Sequence, residues 1–325
     1  MAVAVRGGHQ KEQPRGRARL CGPLSPLAVP ANRRGNASGG SICEKSKPSG
    51  AVAALLLGGR LHLQHGPIDI VAEAFGDREA VRAGYARAAA RFAGVLDELV
   101  AELASLRVAG APVQGDIARV MAAAVLPFAP RFITPMAAVA GAVAQTILHA
   151  MTGPGITRAY ANNGGDIALW LGPGESLTCA LAASGGQHRA TVRAGDVARG
   201  IATSGWRGRS FSLGIADAVT VLAPTAAMAD AAATMIANAV DLDHPGILRR
   251  PACALKPDSD LGGRLVTVAV PKLGAADRRA ALGLGLQAAE DFLARGLIVG
   301  AALFLQGETV LTGTIRLGVK EVTDD

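Results

Sequence analysis

Hydrophobic positions along the chain follow two periods, and the switch between them marks the elements. From Leu61 they alternate, Leu61 and Leu63 and then Ile68 and Ile70 on either side of Gly66-Pro67, which predicts two short strands and a bend. From Asp77 the period lengthens. Val81, Tyr85, Ala88, Phe92, Val95, Leu99, Leu103 and Leu106 recur at spacings of three and four, predicting one long helix to about Arg107. Thr134-Pro135 pairs a capping residue with the favoured first helical residue, so a second helix is expected to about Met151. Short apolar runs then predict strands at Ile167–Leu171, Leu177–Leu181, Arg189–Val192 and Ala218–Leu222. A helix capped by Thr225 is expected from Ala226 to about Val240. It is followed by a strand at Leu265–Val270, a helix at Asp277–Arg295 closed by Gly296, and strands at Leu297–Leu305 and Val310–Leu317.

Helices and antiparallel-looking strands alternate without a strict β-α repeat, which predicts an α+β fold of mixed, mostly antiparallel strands packed with long alanine-rich helices. With 50% apolar residues but only 3% aromatics, the interior must be filled by Ala, Val, Leu and Ile in closely packed layers. The uncharged stretch from Phe132 to Thr157 raises the question of a membrane span, but Pro135, Gln145, His149 and the abundance of Ala and Gly read as a buried helix. No membrane association is expected.

Charge divides the chain unevenly. Residues 1–50 carry nine Lys/Arg and two Glu, whereas the rest carries 24 charges of each sign, so the net charge of +7 belongs to the N-terminal segment. Eighteen of those 50 residues are Pro, Gly or Ser, a composition that cannot offset the entropy of ordering. Residues 1–55 are expected to be a disordered basic leader and residues 56–325 one α+β domain. The neutral body removes the electrostatic case for nucleic acid. The leader lacks a continuous apolar core of a secretory signal, and Cys21, Cys43, Cys179 and Cys253 show no metal-ligand spacing, so reduced thiols in a cytoplasmic protein are expected.

Three polar stretches interrupt the alanine background. Asn162-Asn163-Gly164-Gly165-Asp166 reads either as a hairpin turn or as a backbone cradle with Asp166 as a carboxylate anchor. Ala202-Thr203-Ser204-Gly205-Trp206-Arg207-Gly208-Arg209-Ser210 concentrates hydroxyls and two guanidiniums, either as a solvated loop or as a phosphate or carboxylate site. On the third, Asp230 and Thr234 lie one helical turn apart with Asn238 a turn further, which is either a polar stripe or part of the oxygen shell of Mg²⁺. His62, His65 and the Asp258-Ser259-Asp260 turn are weaker candidates. No Gly-x-Ser-x-Gly elbow, P-loop or His-Glu-x-x-His occurs.

In order, Asn163-Gly164-Gly165-Asp166-Ile167, Ala202-Thr203-Ser204-Gly205, Val219-Thr220-Val221-Leu222-Ala223 and Ala229-Asp230-Ala231-Ala232-Ala233-Thr234 resemble the ApbE-like (FAD:protein FMN transferase-like) superfamily. Thr134-Pro135-Met136-Ala137-Ala138-Val139-Ala140-Gly141, the segment Ser210 to Asp217, and Ile236-Ala237-Asn238-Ala239-Val240 look like its functionally uncharacterised UPF-type branch, over about residues 60 to 307. The resemblance implies an ApbE-like fold, Asp230 and Thr234 as Mg²⁺ ligands, and Asn163, Gly164, Gly165, Asp166, Thr203, Ser204, Gly205, Arg207 and Arg209 around FAD or FMN. The transferases' His-x-x-Asp-Pro-x-Thr-Gly segment is replaced here by Trp206 to Asp217. Asp217 and Ser212 are therefore the candidate proton-transfer residues. Two roles follow as expectations. One is a Mg²⁺-dependent transferase acting on a flavin or another phosphorylated, nucleotide-like small molecule; the other is a non-catalytic ligand-binding or accessory protein in sulfur or cofactor metabolism. A homo-oligomer built through the alanine-rich helices is a further expectation.

Overall fold

The structure, a computed structural model, describes residues 50–181 and 188–315 together with the short strands β1 (Val5–Arg6) and β15 (Gly318–Val319). The rest of the basic leader lies outside the described residues. The sheet extends before the expected boundary, because β2 (Val52–Leu55) pairs with β3 (Leu61–His65), and β3 with β4 (Ile68–Gly76). Residues 52–55 therefore belong to the domain and not to the leader.

The predicted long helix is three: α1 (Arg78–Phe92), α2 (Val95–Ala101) and α3 (Leu103–Leu106). Asp77 caps α1 as its position suggests, accepting the N–H groups of Glu79 at 2.9 Å and Ala80 at 3.1 Å. The breaks fall at Ala93-Gly94 and Glu102. Beyond them the side chains serve a fourth helix that periodicity missed, α4 (Asp116–Val125), whose start has no side-chain cap of its own. Glu98 accepts from Ile117 N at 3.0 Å, and Glu102 accepts from Gln114 N at 2.6 Å and Gly115 N at 2.5 Å, satisfying donors that the α4 N-terminus would otherwise leave unpaired.

After a 3₁₀ turn at Pro135–Ala138 come α5 (Val139–Met151), β5 (Ile156–Asn163), β6 (Asp166–Leu171), β7 (Ser176–Leu181), β8 (His188–Arg193), β9 (Gly200–Ser204) and β10 (Ala218–Ala223). Thr134 does not cap the helix behind it. Its hydroxyl donates instead to Asp260 at 2.5 Å, tying this turn to a distant loop. The chain closes with α6 (Ala226–Ala239), β11 (Leu248–Pro251), α7 (Ala252–Leu255), β12 (Leu265–Ala269), α8 (Ala275–Ala294), β13 (Gly300–Leu305) and β14 (Glu308–Gly313). The Thr225 cap on α6 is present, its hydroxyl accepting from Met228 N at 3.2 Å.

Nine strands form one sheet in the order β14-β13-β10-β9-β6-β5-β4-β3-β2, every neighbouring pair antiparallel. The fold is thus α+β. Alternate residues divide its two faces. Ala159, Ala161, Ala168, Ala202, Val219 and Val221 pack beneath α5 and α6 in one core. Ile167, Leu169, Ile201, Leu222 and Phe304 join Leu177 and Val192 of the β7–β8 hairpin in a second core on the other side. Covered on both sides, β10 and β13 are buried at every position and read as continuous apolar runs.

α6 is the central helix, and alanine makes it so. Ala229, Ala231, Ala232, Ala233 and Ala237 are wholly buried, which lets the helix lie close to the sheet and to α5. Backbone approaches it closely at Gly141, where a Cβ would stand 2.2 Å from the Ala226 carbonyl oxygen, and at Gly214, where it would stand 2.2 Å from that of Ala237. Among the described residues, no helix is long and apolar enough to cross a membrane.

Candidate functional site

The hairpin between β5 and β6 has only Gly164 and Gly165 at its tip, since Asn163 pairs with Asp166. Their φ values of 67° and 121° require glycine, and Gly165 N donates to Asn162 Oδ1 at 2.8 Å. The turn reading is therefore correct. It also aims two side chains, because strand alternation turns Asn163 and Asp166 toward the helices, on the face that Ala161 and Ala168 share. By the same rule Ser204, opposite Val219 and two residues after Ala202, faces that way.

There the sheet meets the N-terminus of α5 and the first half of α6. Asn163 Nδ2 donates to the Ala140 carbonyl at 3.1 Å, and Asp230 Oδ2 accepts from Gly141 N at 2.9 Å. Asp166 Oδ1 accepts from Thr203 N at 3.2 Å. Both carboxylates are half-buried, and they act on each other. Loss of water pushes Asp166 up to about 7, opposed by the Thr203 N–H and the Arg209 charge. Asp230 is also raised well above the ordinary range. Burial is the main cause and the Asp166 charge adds to it, against the Gly141 and Ala140 N–H groups.

Arg209 stands at the rim. Its Nη2 lies 1.7 Å from where a Cβ on Gly164 would fall, so the guanidinium occupies space that only glycine leaves open. Thr234 is half-buried one turn beyond Asp230 on α6, and its hydroxyl has no hydrogen-bond partner among the described residues. Asn163, Gly164, Gly165, Asp166, Thr203, Arg209 and Asp230 thus meet in one cleft. The donor set is oxygen only, which suits a hard cation. Among the described residues, no three His, Cys, Asp or Glu side chains gather as a metal cluster.

The remaining candidates hold the loop that follows β9. Asp217 has both oxygens engaged, Oδ1 by Arg207 Nε at 2.8 Å and Oδ2 by Gln306 N at 2.5 Å. Arg207 lies over the Trp206 ring with 5.0 Å between guanidinium carbon and ring centroid. Gly205 begins this loop and Ser204 ends β9 before it. Ser212 is buried, its hydroxyl donating to Asn238 Oδ1 at 3.3 Å and accepting from Gly214 N at 3.3 Å. Asp217 and Ser212 thus anchor the loop through these contacts. Sequence reasoning missed Asn238 as a clamp, which also accepts from Leu213 N at 2.9 Å. The i, i+4, i+8 spacing of Asp230, Thr234 and Asn238 was the available signal. The weaker candidates are elsewhere: His62 pairs with Asp69 at 2.9 Å and Asp258 with Arg107 at 2.8 Å.

A family model described as AbpE bacteria matches residues 53–311, from within β2 to within β14. The chain belongs to this family. It is also similar to several proteins named UPF0280 protein. That of Methanopyrus kandleri is 37% identical over 166 residues, covering 50% of this chain and 62% of the relative. That of Methanothermobacter thermautotrophicus is 36% identical over 168 residues, with 46% and 64% covered, and that of Methanococcoides burtonii 37% over 121 residues, with 35% and 49% covered. The chain thus spans about half to just under two thirds of the length of these relatives.

Proposed function

We propose that the cleft between Asp166 and Asp230 binds Mg²⁺ together with the phosphate groups of a flavin nucleotide or another nucleotide-like ligand, in an ApbE-like transferase. One observation carries the reading: two half-buried carboxylates pushed up by burial, Asp230 further by the Asp166 charge, at the start of a helix and beside a guanidinium. Such a pair is costly when both members are charged, and a divalent cation relieves that cost. Asp166, Asp230 and Thr234 would hold the ion; Mg²⁺ commonly takes one or two protein carboxylates and fills its remaining positions with water and ligand phosphate. When bound, the ion supplies neutralisation of phosphate charge.

The chain's own residues orient the ligand. Arg209 offers a planar, forked donor to a phosphate, and Gly164 keeps the approach open. Gly141 N–H fixes the Asp230 carboxylate, and Thr203 N–H fixes Asp166. A second reading, a ligand-binding protein without transferase chemistry, is favoured by the engagement of Asp217 and Ser212 in loop contacts. Isothermal titration with FAD, FMN and ADP, with and without Mg²⁺, tests both. The expected result is Mg²⁺-dependent binding that is lost in Asp230→Ala. Affinity indifferent to Mg²⁺ and to this substitution would refute the metal assignment, and saturable binding without group transfer to an acceptor would select the second reading.

A further inference from the structure

A second feature lies eight residues along α6 from Asp230. Between α6 and α8 an open groove of about 590 Å³ is lined by Arg131, Met235, Asn238, Leu284, Gln287 and Asp291, among others. At 1.5 Å per residue, its Asn238 end is about 12 Å from Asp230 along the helix axis. Asn238 joins the two regions. Its Oδ1 receives Ser212 and Leu213 at the end of the loop that carries Arg209, and its side chain also lines the groove. The segment from Arg131 to Gly141 links them as well, touching Asp230 at one end and the groove at the other.

The lining has the composition of a site for a planar ring. Met235 and Leu284 supply apolar surface, with Leu284 52% exposed and so free to contact a ligand. Gln287 supplies an amide, and Asn238, whose Oδ1 is engaged by Ser212 and Leu213, supplies its Nδ2 donor, to read polar ring edges. Arg131 is exposed, its guanidinium carbon 5.7 Å from the Phe292 centroid, and Asp291 pairs with Arg295 at 3.3 Å. Arg131 and Asp291 bring opposite charges to the lining, so it is not an anion site like the rim at Arg209. Its volume falls in the range of small-molecule sites.

We infer that this groove holds the nitrogen-heterocyclic ring of the phosphorylated ligand whose phosphates lie at the Asp166–Asp230 cleft. The inference rests on the function proposed above, and the following experiment separates the two. Mg²⁺ complexes of ADP, FMN and inorganic pyrophosphate are titrated against the wild-type protein, Leu284→Trp and Gln287→Ala, with circular dichroism to verify folding. Pyrophosphate has no ring and probes only the cleft.

Leu284→Trp fills the groove from a half-exposed position and is expected to weaken ADP and FMN by about tenfold or more while leaving pyrophosphate within about twofold. Gln287→Ala is expected to weaken the ring-bearing ligands by about threefold, and it decides the matter if the tryptophan variant also loses pyrophosphate or fails to fold. Nucleotide affinities unmoved by both substitutions, or no tighter than that of pyrophosphate, overturn the groove and leave the cleft standing. If none of the three complexes binds the wild-type protein, the proposed function and this inference fall together.

Discussion

Replacing Asp166 by asparagine should stabilise the metal-free protein at alkaline pH and abolish its response to Mg²⁺. The carboxyl of Asp166 is pushed from 3.8 to about 7 in the fold, whereas in the unfolded chain an aspartate titrates near 3.9. Between about pH 4 and 7 the folded state therefore retains a proton that the unfolded state has released. The stability this group contributes is complete below about pH 4 and is lost as pH rises through about 7. Three pH units at 1.36 kcal/mol each set an upper bound of about 4 kcal/mol. Because the side chain is half-buried and solvent screens it, roughly 1–2 kcal/mol is the expected loss. Asparagine keeps an oxygen for the Thr203 N–H and carries no charge to repel Asp230. At about 2–4 °C per kcal/mol, Asp166→Asn should raise Tm by roughly 2–8 °C near pH 8 in EDTA and leave it unchanged near pH 4. Millimolar Mg²⁺ should then raise the wild-type Tm near pH 8 and not that of the variant. Scanning calorimetry at the two pH values reads both effects. An equal gain at both pH values, or a loss near pH 8, would refute the electrostatic argument.

Two further substitutions probe the frame and the loop. Gly141→Ala should cost about 2–4 kcal/mol, because its Cβ meets the Ala226 carbonyl at 2.2 Å, whereas Gly283→Ala in α8 meets nothing within 4 Å and should gain about 0.5–1 kcal/mol; urea unfolding of the pair compares them. Asp217→Ala should destabilise by about 1–3 kcal/mol through loss of the Arg207 and Gln306 contacts, yet leave Mg²⁺-dependent nucleotide affinity within about threefold in calorimetric titration; a selective loss of ligand turnover in a folded variant would restore it as a proton carrier.

The fold class was legible because the longer helices and most strands announce their period. Asp77 and Thr225 mark helix starts that the structure bears out with cap hydrogen bonds. β5 and β9 were not readable as strands. Their polar ends at Asn162-Asn163 and Thr203-Ser204 look like loop, and burial on both faces removes the alternation that identifies a strand. The long helix failed for another reason: the apolar period runs unbroken through Gly94 and Glu102, and what breaks it is a tertiary demand, the uncapped start of α4. At the cleft, the residues themselves were readable from their order along the chain. Their hydrogen-bond partners were not, because the 64 residues from Asp166 to Asp230 are brought together only by the sheet register and the seat of α6 on it. The groove against α8 had no sequence signal, since Leu284 and Gln287 read as ordinary surface positions of an amphipathic helix.

The seating of α6 also governs which parts of this pocket can diverge among family members. A rod touching backbone along its length, as at Ala226 against Gly141, leaves no slack for a bulkier side chain on its inner faces. Retuning for a different guest falls instead to the exposed side chains Arg207, Arg209 and Arg131, since the segments that carry them are themselves pinned at Gly205, Ser212, Gly214 and Thr134. The floor is fixed by backbone contact, and change is confined to the exposed tips of the walls.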